Sequence, residues 1–207
     1  MHEKNILGIR IFLLLFLTIS FYVLALLVMN GSITAFENTV YSVLSRFVTP
    51  GLTGIMIFIT NIGSAYAIIA VNITFLVLPS TRKVFGYQVA FNSIVTDILN
   101  SVLKNNYARE RPNILRLITE SGYGFPSGHA MNSTALCAII AFIVFKRIKK
   151  DNIRIPVLIF SIFIPFSIGI SRVYLGVHRA GDVIAGWIMG MAVTLVVDIL
   201  WKLIEKS

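Results

Sequence analysis

Six apolar runs, each close to the length that crosses a bilayer, dominate this chain and leave it few ways to fold. They cover Ile6 to Met29, Pro50 to Leu78, Phe85 to Lys104, Ser127 to Phe145, Ile155 to Ile170 and Gly181 to Leu203. A hydrocarbon core of about 30 Å takes roughly 20 residues of helix, so each run reads as a span. The second run is interrupted at Asn61-Ile62-Gly63-Ser64. Two full spans do not fit in its length, so one broken span is the expectation, with a half-helix and a partner as the other reading. A short amphipathic helix is expected around Thr34 to Phe47. The fold class that follows is all-α, a polytopic membrane helical bundle of about six transmembrane helices, forming one domain over residues 1–207.

Composition agrees with this. Hydrophobic residues make up 57% of the chain and charged ones 13%, against nearly 25% charged in an average soluble domain. The net charge of +9 does not point to nucleic acid, because the basic residues sit in short loops between apolar runs and not on one amphipathic face. Their first task is orientation and contact with the lipid bilayer. Cys137 is the only cysteine, which excludes an intrachain disulfide and a cysteine-based metal site. Lys4 and Arg10 ahead of the apolar stretch Ile11 to Met29 resemble a signal peptide, but no convincing cleavage site follows, and an uncleaved signal anchor is expected.

Six spans put both termini on one side. Eleven basic residues fall on that side, among them Arg82, Lys83, Lys146, Arg147, Lys149 and Lys150. Seven fall on the other, and three of those belong to the motifs described below. With those three set aside the bias is eleven to four, so the positive-inside rule predicts cytoplasmic termini and a multi-pass protein of the cell membrane.

Polar residues inside the spans are costly and seek partners. Asn92, Thr96, Asn100 and Lys104 recur every four residues and form one stripe on the third span, which must face the bundle. Asp97 and Asp198 are further intramembrane acids, read as structural hydrogen-bonding groups or as part of an ion or proton path. Gly186 and Gly190 form a G-x-x-x-G on the last span, expected at a close helix contact.

Three short motifs carry chemistry, and the span count places all of them on the outer, extracytoplasmic face. In the first, Lys104 is followed seven residues later by Arg111-Pro112. A compact ammonium and a fork-shaped guanidinium suit a phosphate with several acceptor oxygens. Alone the pair would pass for interfacial anchors. In the second, Pro126-Ser127-Gly128-His129 opens the fourth span. A helix start offers backbone N–H groups to an anion, Gly128 permits close approach, Ser127 adds a hydroxyl, and His129 is placed to donate a proton. Alone it would pass for a capped helix start. In the third, Ser171-Arg172 precedes His178 and Asp182. The four-residue spacing puts that histidine and carboxylate on one face if the turn is helical, so Asp182 fixes the tautomer and leaves the other ring nitrogen as a nucleophile. Alone, Asp182 would pass for a helix cap. Two histidines and one acid dispersed over loops lack a recognisable zinc spacing, so no metal and no other cofactor is expected.

K-x6-R-P, P-S-G-H and S-R-x5-H-x3-D fix eleven residue types on one membrane face. In them the chain resembles the type 2 phosphatidic acid phosphatase superfamily, and within it the bacterial phosphatidylglycerophosphatase B-type lipid phosphatases. The resemblance implies a membrane lipid substrate such as phosphatidylglycerol phosphate, phosphatidic acid or undecaprenyl diphosphate. It implies His178 as the nucleophile forming a phosphohistidine, Asp182 as its orienting group and His129 as acid and base. Lys104, Arg111, Ser127, Gly128 and Arg172 would then bind phosphate, with no metal required. A vanadium-dependent haloperoxidase shares the motifs, but the haloperoxidases in question are soluble. A lipid or phosphate transporter and a lipid phosphotransferase remain as alternatives. The sequence fixes no oligomeric state.

Overall fold

The computed structural model describes residues 2–205, and among these every regular element is helical. The chain runs through α1 (His2–Met29), α2 (Thr34–Ser45), α3 (Pro50–Ile62), α4 (Ala65–Val77) and a three-residue turn of helix, α5 (Pro79–Thr81). A π-helical turn, Arg82–Gly86, leads into α6 (Tyr87–Tyr107), followed by α7 (Gly128–Arg147), α8 (Asp151–Tyr174) and α9 (Ala180–Ile204).

Helices α1, α7, α8 and α9 are long and apolar enough to cross a membrane, and α3 with α4 reaches that length and composition only as a pair, bent by 44° at its break. Local chemistry explains the bend. The Ser64 side chain accepts from Ala67 N at 3.3 Å and so begins a new helix where the run would otherwise continue. Thr49 does the same for α3, accepting from Leu52 N, with Pro50 in the first turn where its missing N–H costs nothing. Helix α6 falls short on composition alone, because Gln88, Asn92, Thr96 and Asn100 are buried inside the bundle. At 21 residues it is about 32 Å long, the thickness of a hydrocarbon core. The predicted polar stripe therefore faces inward. Asn92 Nδ2 donates to Ala135 O at 3.0 Å, and Thr96 Oγ1 returns to Asn92 O at 2.7 Å.

Helix α7 is the axis of the bundle, packed against α6, α8 and α9. Its buried Ala130, Met131, Ala135, Ile139 and Ile143 meet α9 through Val193 and Val197 and α6 through Val89. The apolar surfaces of α1, α4 and α8 point outward, as at Phe12, Ile69 and Phe163, where only lipid can shield them. The expected close contact on the last span is present. A Cβ at Gly190 would lie 2.4 Å from Met131 O, and one at Gly186 would lie 2.7 Å from Ser127 O, so α7 and α9 touch backbone to backbone.

The two ends of the bundle differ in kind. At one, Asp198 pairs with Arg10 and lies 3.8 Å from Lys202, which gives that intramembrane acid a structural role. Asp97, halfway along α6, accepts from Asn132 at 3.4 Å. At the other end α1 and α6 finish, α7 and α9 begin, and residues 108–127 form the longest loop. Phe125 anchors the return of that loop, buried between Phe21 of α1 and Tyr107 of α6 with ring centroids 5.8 and 5.1 Å away. Tyr174, at the end of α8, ties the opposite flank down through contacts of its hydroxyl with Phe47 O and Thr53 Oγ1.

Gly190→Ala forces its methyl into the α7 backbone and is expected to cost about 1–3 kcal/mol. Gly54→Ala, which meets nothing within 4 Å, should leave stability unchanged or slightly raised. Thermal unfolding in detergent, compared between the two variants, checks this.

Candidate active site

Every residue picked out by the three motifs lies at the loop-rich end. Helix α6 ends with Lys104 pointing at the returning loop, where Nζ donates to Tyr123 O at 2.6 Å. Ala108 then adopts a left-handed conformation, φ +44°, its N–H closing on Lys104 O, and this stops the helix and turns the chain inward. Arg111 follows. Its guanidinium donates to Gly122 O, Ser121 O and Val177 O at 3.0, 2.9 and 2.9 Å, joining the loop's two limbs to the α8–α9 turn.

The α8–α9 turn is fixed by Gly176, which has φ +72° and would place a Cβ 2.3 Å from Leu115 O. Only glycine allows both the left-handed turn and the loop lying over it. Leu117 N donates to Leu175 O at 3.0 Å across the same contact. The turn sets Arg172 and His178 on either side of itself. His178 is in the loop ahead of α9, not on the helix, so the helical one-face spacing is replaced by a turn that achieves the same approach. Nδ1 lies 3.4 Å from Asp182 Oδ2, and Nε2 lies 3.0 Å from Arg111 Nη1. The tautomer that suits both neighbours carries its proton on Nδ1 and turns the Nε2 lone pair toward the cations.

Asp182 is fully buried in the first turn of α9. It is the cap that the bland reading expected, since Oδ2 accepts from Arg179 N at 2.9 Å. It also faces His178, so one carboxylate serves the helix start and stands beside the imidazole. Its backbone carbonyl accepts from Ser127 N at 2.9 Å, which locks the start of α7 to the start of α9. That N–H is therefore spent, and the donors left for an anion are those of the turn that follows it. Pro126 stands ahead of α7, after a cis bond from Phe125. Ser127 Oγ is buried without a hydrogen-bond partner among the described residues, in keeping with a hydroxyl that waits for a ligand. Gly128 borders Asn100 and Lys104 of α6. His129, half-buried one residue on, lies within electrostatic reach of Arg172, Glu120, His178 and Arg111.

Arg172 is the most enclosed cation, 1% exposed. Its Nη1 donates to Thr60 Oγ1 at 2.9 Å and its Nη2 to Glu120 Oε1 at 2.6 Å. Four residues outside the motifs thus enter the site: Thr60 from the end of α3, Glu120 and Arg109 from the long loop, and Glu37 from α2. Arg109 Nη1 meets Asp182 Oδ1 at 2.5 Å, and Glu37 holds Arg109 in two-point contact at 2.6 and 2.9 Å. Spacing gave no signal for any of them. Glu120, one of two acids in a loop that carries three arginines, was the available hint.

Burial disfavours the charged form of His178 and pulls its pKa down to about 4, although Asp182 works in the other direction. Burial would raise Glu120, but Arg172 above all, with His129 and Arg111, holds it below the usual carboxylate range. Burial also opposes the charge on Arg109, and Glu37 and Asp182 more than compensate, keeping it above the ordinary arginine value. Among the described residues no group of three His, Cys, Asp or Glu side chains is placed to hold a metal ion. Beside Arg111 and Glu120 opens a cavity of about 460 Å³ lined by Glu110, Arg111, Asn113, Arg116, Glu120, Gly122 and Tyr123.

Three cations, an imidazole backed by a carboxylate and a second imidazole at a helix start, all at the mouth of a membrane bundle, define an enzyme that handles phosphate esters at a bilayer surface. Known proteins agree. Residues 85–204 match the PAP2 superfamily. The chain is 29% identical over 179 residues to phosphatidylglycerophosphatase B of Bacillus subtilis, covering 83% of this chain and 86% of that protein. It is 30% identical over 186 residues to undecaprenyl-diphosphatase of Sulfolobus acidocaldarius, covering 87% and 84%. The crystal structure of a transmembrane PAP2-type phosphatidylglycerolphosphate phosphatase from Bacillus subtilis superimposes with a TM-score of 0.81 at 27% identity, over 91% of this chain and 96% of that one. The chain belongs to the PAP2 superfamily and is a membrane lipid phosphatase.

Arg172→Lys removes the fork that reaches Thr60 and Glu120 together. Phosphate release from a lipid monophosphate should fall on the order of 10²-fold or more, with the protein still eluting as a folded species in detergent.

Proposed function

We propose that this phosphatase cleaves an outward-facing phosphate from a lipid by way of a phosphohistidine on His178, with the tail between helices and the headgroup in the cavity beside Arg111. The observation that carries the reading is the His178 ring itself, backed by Asp182 at Nδ1 and presenting Nε2 to Arg111.

In this mechanism Lys104, Arg111 and Arg172, with the Ser127 hydroxyl and the α7 start at Gly128, hold the non-bridging oxygens, where charge stabilisation and positioning dominate phosphoryl transfer. Nε2 attacks phosphorus as the bond to the lipid oxygen breaks, and His129 gives its proton to that departing oxygen. Asp182 stabilises the charge that appears on the ring. A water then attacks phosphorus while His129 takes its proton, the P–N bond breaks, and phosphate leaves with His178 restored.

For the substrate, phosphatidylglycerol phosphate is the first choice. The cavity has room beyond a single phosphate, and it offers Asn113, Arg116 and Glu110 to the hydroxyls of a glycerol headgroup. Phosphatidic acid and undecaprenyl diphosphate are the alternatives a substrate panel distinguishes. The loop charges support cytoplasmic termini and an extracytoplasmic site, since the motifs lie at the end opposite Arg10 and Asp198.

Two outcomes test the reading. His178→Ala should abolish phosphate release across lipid monophosphates and diphosphates, and rapid acid-free quench of the wild type with labelled substrate should trap an acid-labile phosphoprotein. Turnover by His178→Ala at the wild-type rate would sink it. In the pH profile of kcat/KM, protonation of His178 removes the nucleophile. The acid limb should therefore fall as pH drops through about 4, while loss of the His129 proton that the departing oxygen needs closes the profile on its alkaline side.

A further inference from the structure

We infer that Arg109 and Glu37, neither of them in a motif, are positioning residues of the nucleophile, setting both the orientation of the Asp182 carboxylate and the net charge that faces His178. The inference rests on His178 being the nucleophile, as proposed above.

The geometry is a chain of three buried groups. Glu37, 2% exposed, reaches up from α2 and grips both terminal nitrogens of Arg109. Arg109 in turn takes Oδ1 of Asp182, while Arg179 N holds Oδ2 from the opposite side. The carboxylate is thus clamped with Oδ2 turned to His178 Nδ1. The site makes room for this arrangement, because a Cβ at Gly181 would stand 2.5 Å from Glu37 Oε1. A side chain at 181 would force the glutamate, Val28 or Ile33 to shift.

Charge explains why a second acid is present. With Arg109 alone, the pair Arg109–Asp182 would be neutral and would offer little to a cationic ring. Glu37 returns the trio to a net charge of minus one. That is the charge that balances the positive ring His178 becomes when it bonds to phosphorus. The other charged groups acting on His178 are Arg172 from α8 and Arg111 from the loop, and around them lie Glu120 of the loop, His129 of α7 and, beside Asp182, Lys104 of α6. Most of them are cationic, so the compensating acid has to come from behind Asp182.

A merely structural staple between α2, the loop and α9 would lower activity when cut, without a signed effect on titration. The inferred role predicts opposite signs. Glu37→Gln removes a negative charge behind the ring, so His178 protonates less readily and the acid limb of kcat/KM should move to lower pH, by about one unit. Arg109→Gln removes a positive charge, so the same limb should move to higher pH. The double variant should return near the wild-type position. The expected fall in kcat is about 10- to 100-fold for each single variant, with KM changed less than threefold. Glu37→Gln is nearly isosteric and carries the sign by itself if Arg109→Gln does not fold. Limbs that stay put, or move in the same direction in both variants, overturn the inference. They do so without touching the phosphohistidine reading, which stands or falls on trapping the intermediate in the wild type.

Discussion

Asp182 is the group on which the rest of the site depends. Its side chain meets Arg109, the Arg179 N–H and His178, and its carbonyl takes the Ser127 N–H. One buried residue therefore joins the starts of two transmembrane helices, the long loop and the histidine. A buried carboxylate stripped of a partner costs about 3–5 kcal/mol, so these four links enforce each other. A helix start favours negative charge, and here the same charge stands beside an imidazole.

The cations follow a similar logic of mutual restraint. Arg172 is enclosed at the end of a spanning helix, where an unpaired guanidinium would be unfavourable. Thr60 and Glu120 satisfy it from two different segments. Arg111 is held by three carbonyls and Lys104 by a fourth. These side chains are therefore ordered by the protein before any ligand arrives, and little reorganisation remains for the moment of reaction. Thr60 makes its contact from the last turn of α3, just ahead of the bend.

The spans were legible because lipid imposes a length and a polarity that few other environments share, and the three motifs because polar and charged residue types at set spacings stand out in so apolar a chain. The stripe on α6 was read correctly from its period of four, and Gly186 with Gly190 from its spacing on α9. Gly63-Ser64 showed that the second span breaks, and the Ser64 cap supplied the reason. What stayed hidden was the set of partners that arrive from afar in sequence. Glu37 meets Arg109 across 72 positions, and Thr60 meets Arg172 across 112. Those pairings depend on how helices are placed around α7, which no local pattern encodes. The position of His178 ahead of α9 rather than on it is a smaller instance, decided by the left-handed turn at Gly176.

Backbone contact between α7 and α9 at Gly186 and Gly190 leaves those two helices no freedom to slide, and His129 and Asp182 ride on them. The loop 108–127 is under no such restriction along its outer edge, where Asn113, Arg116 and Tyr123 border the cavity. Inheritance can therefore act on the two parts separately. A lineage can exchange the edge of one loop to meet a new lipid while the helices pass on the chemistry unaltered, and relatives with different named substrates can share one scaffold.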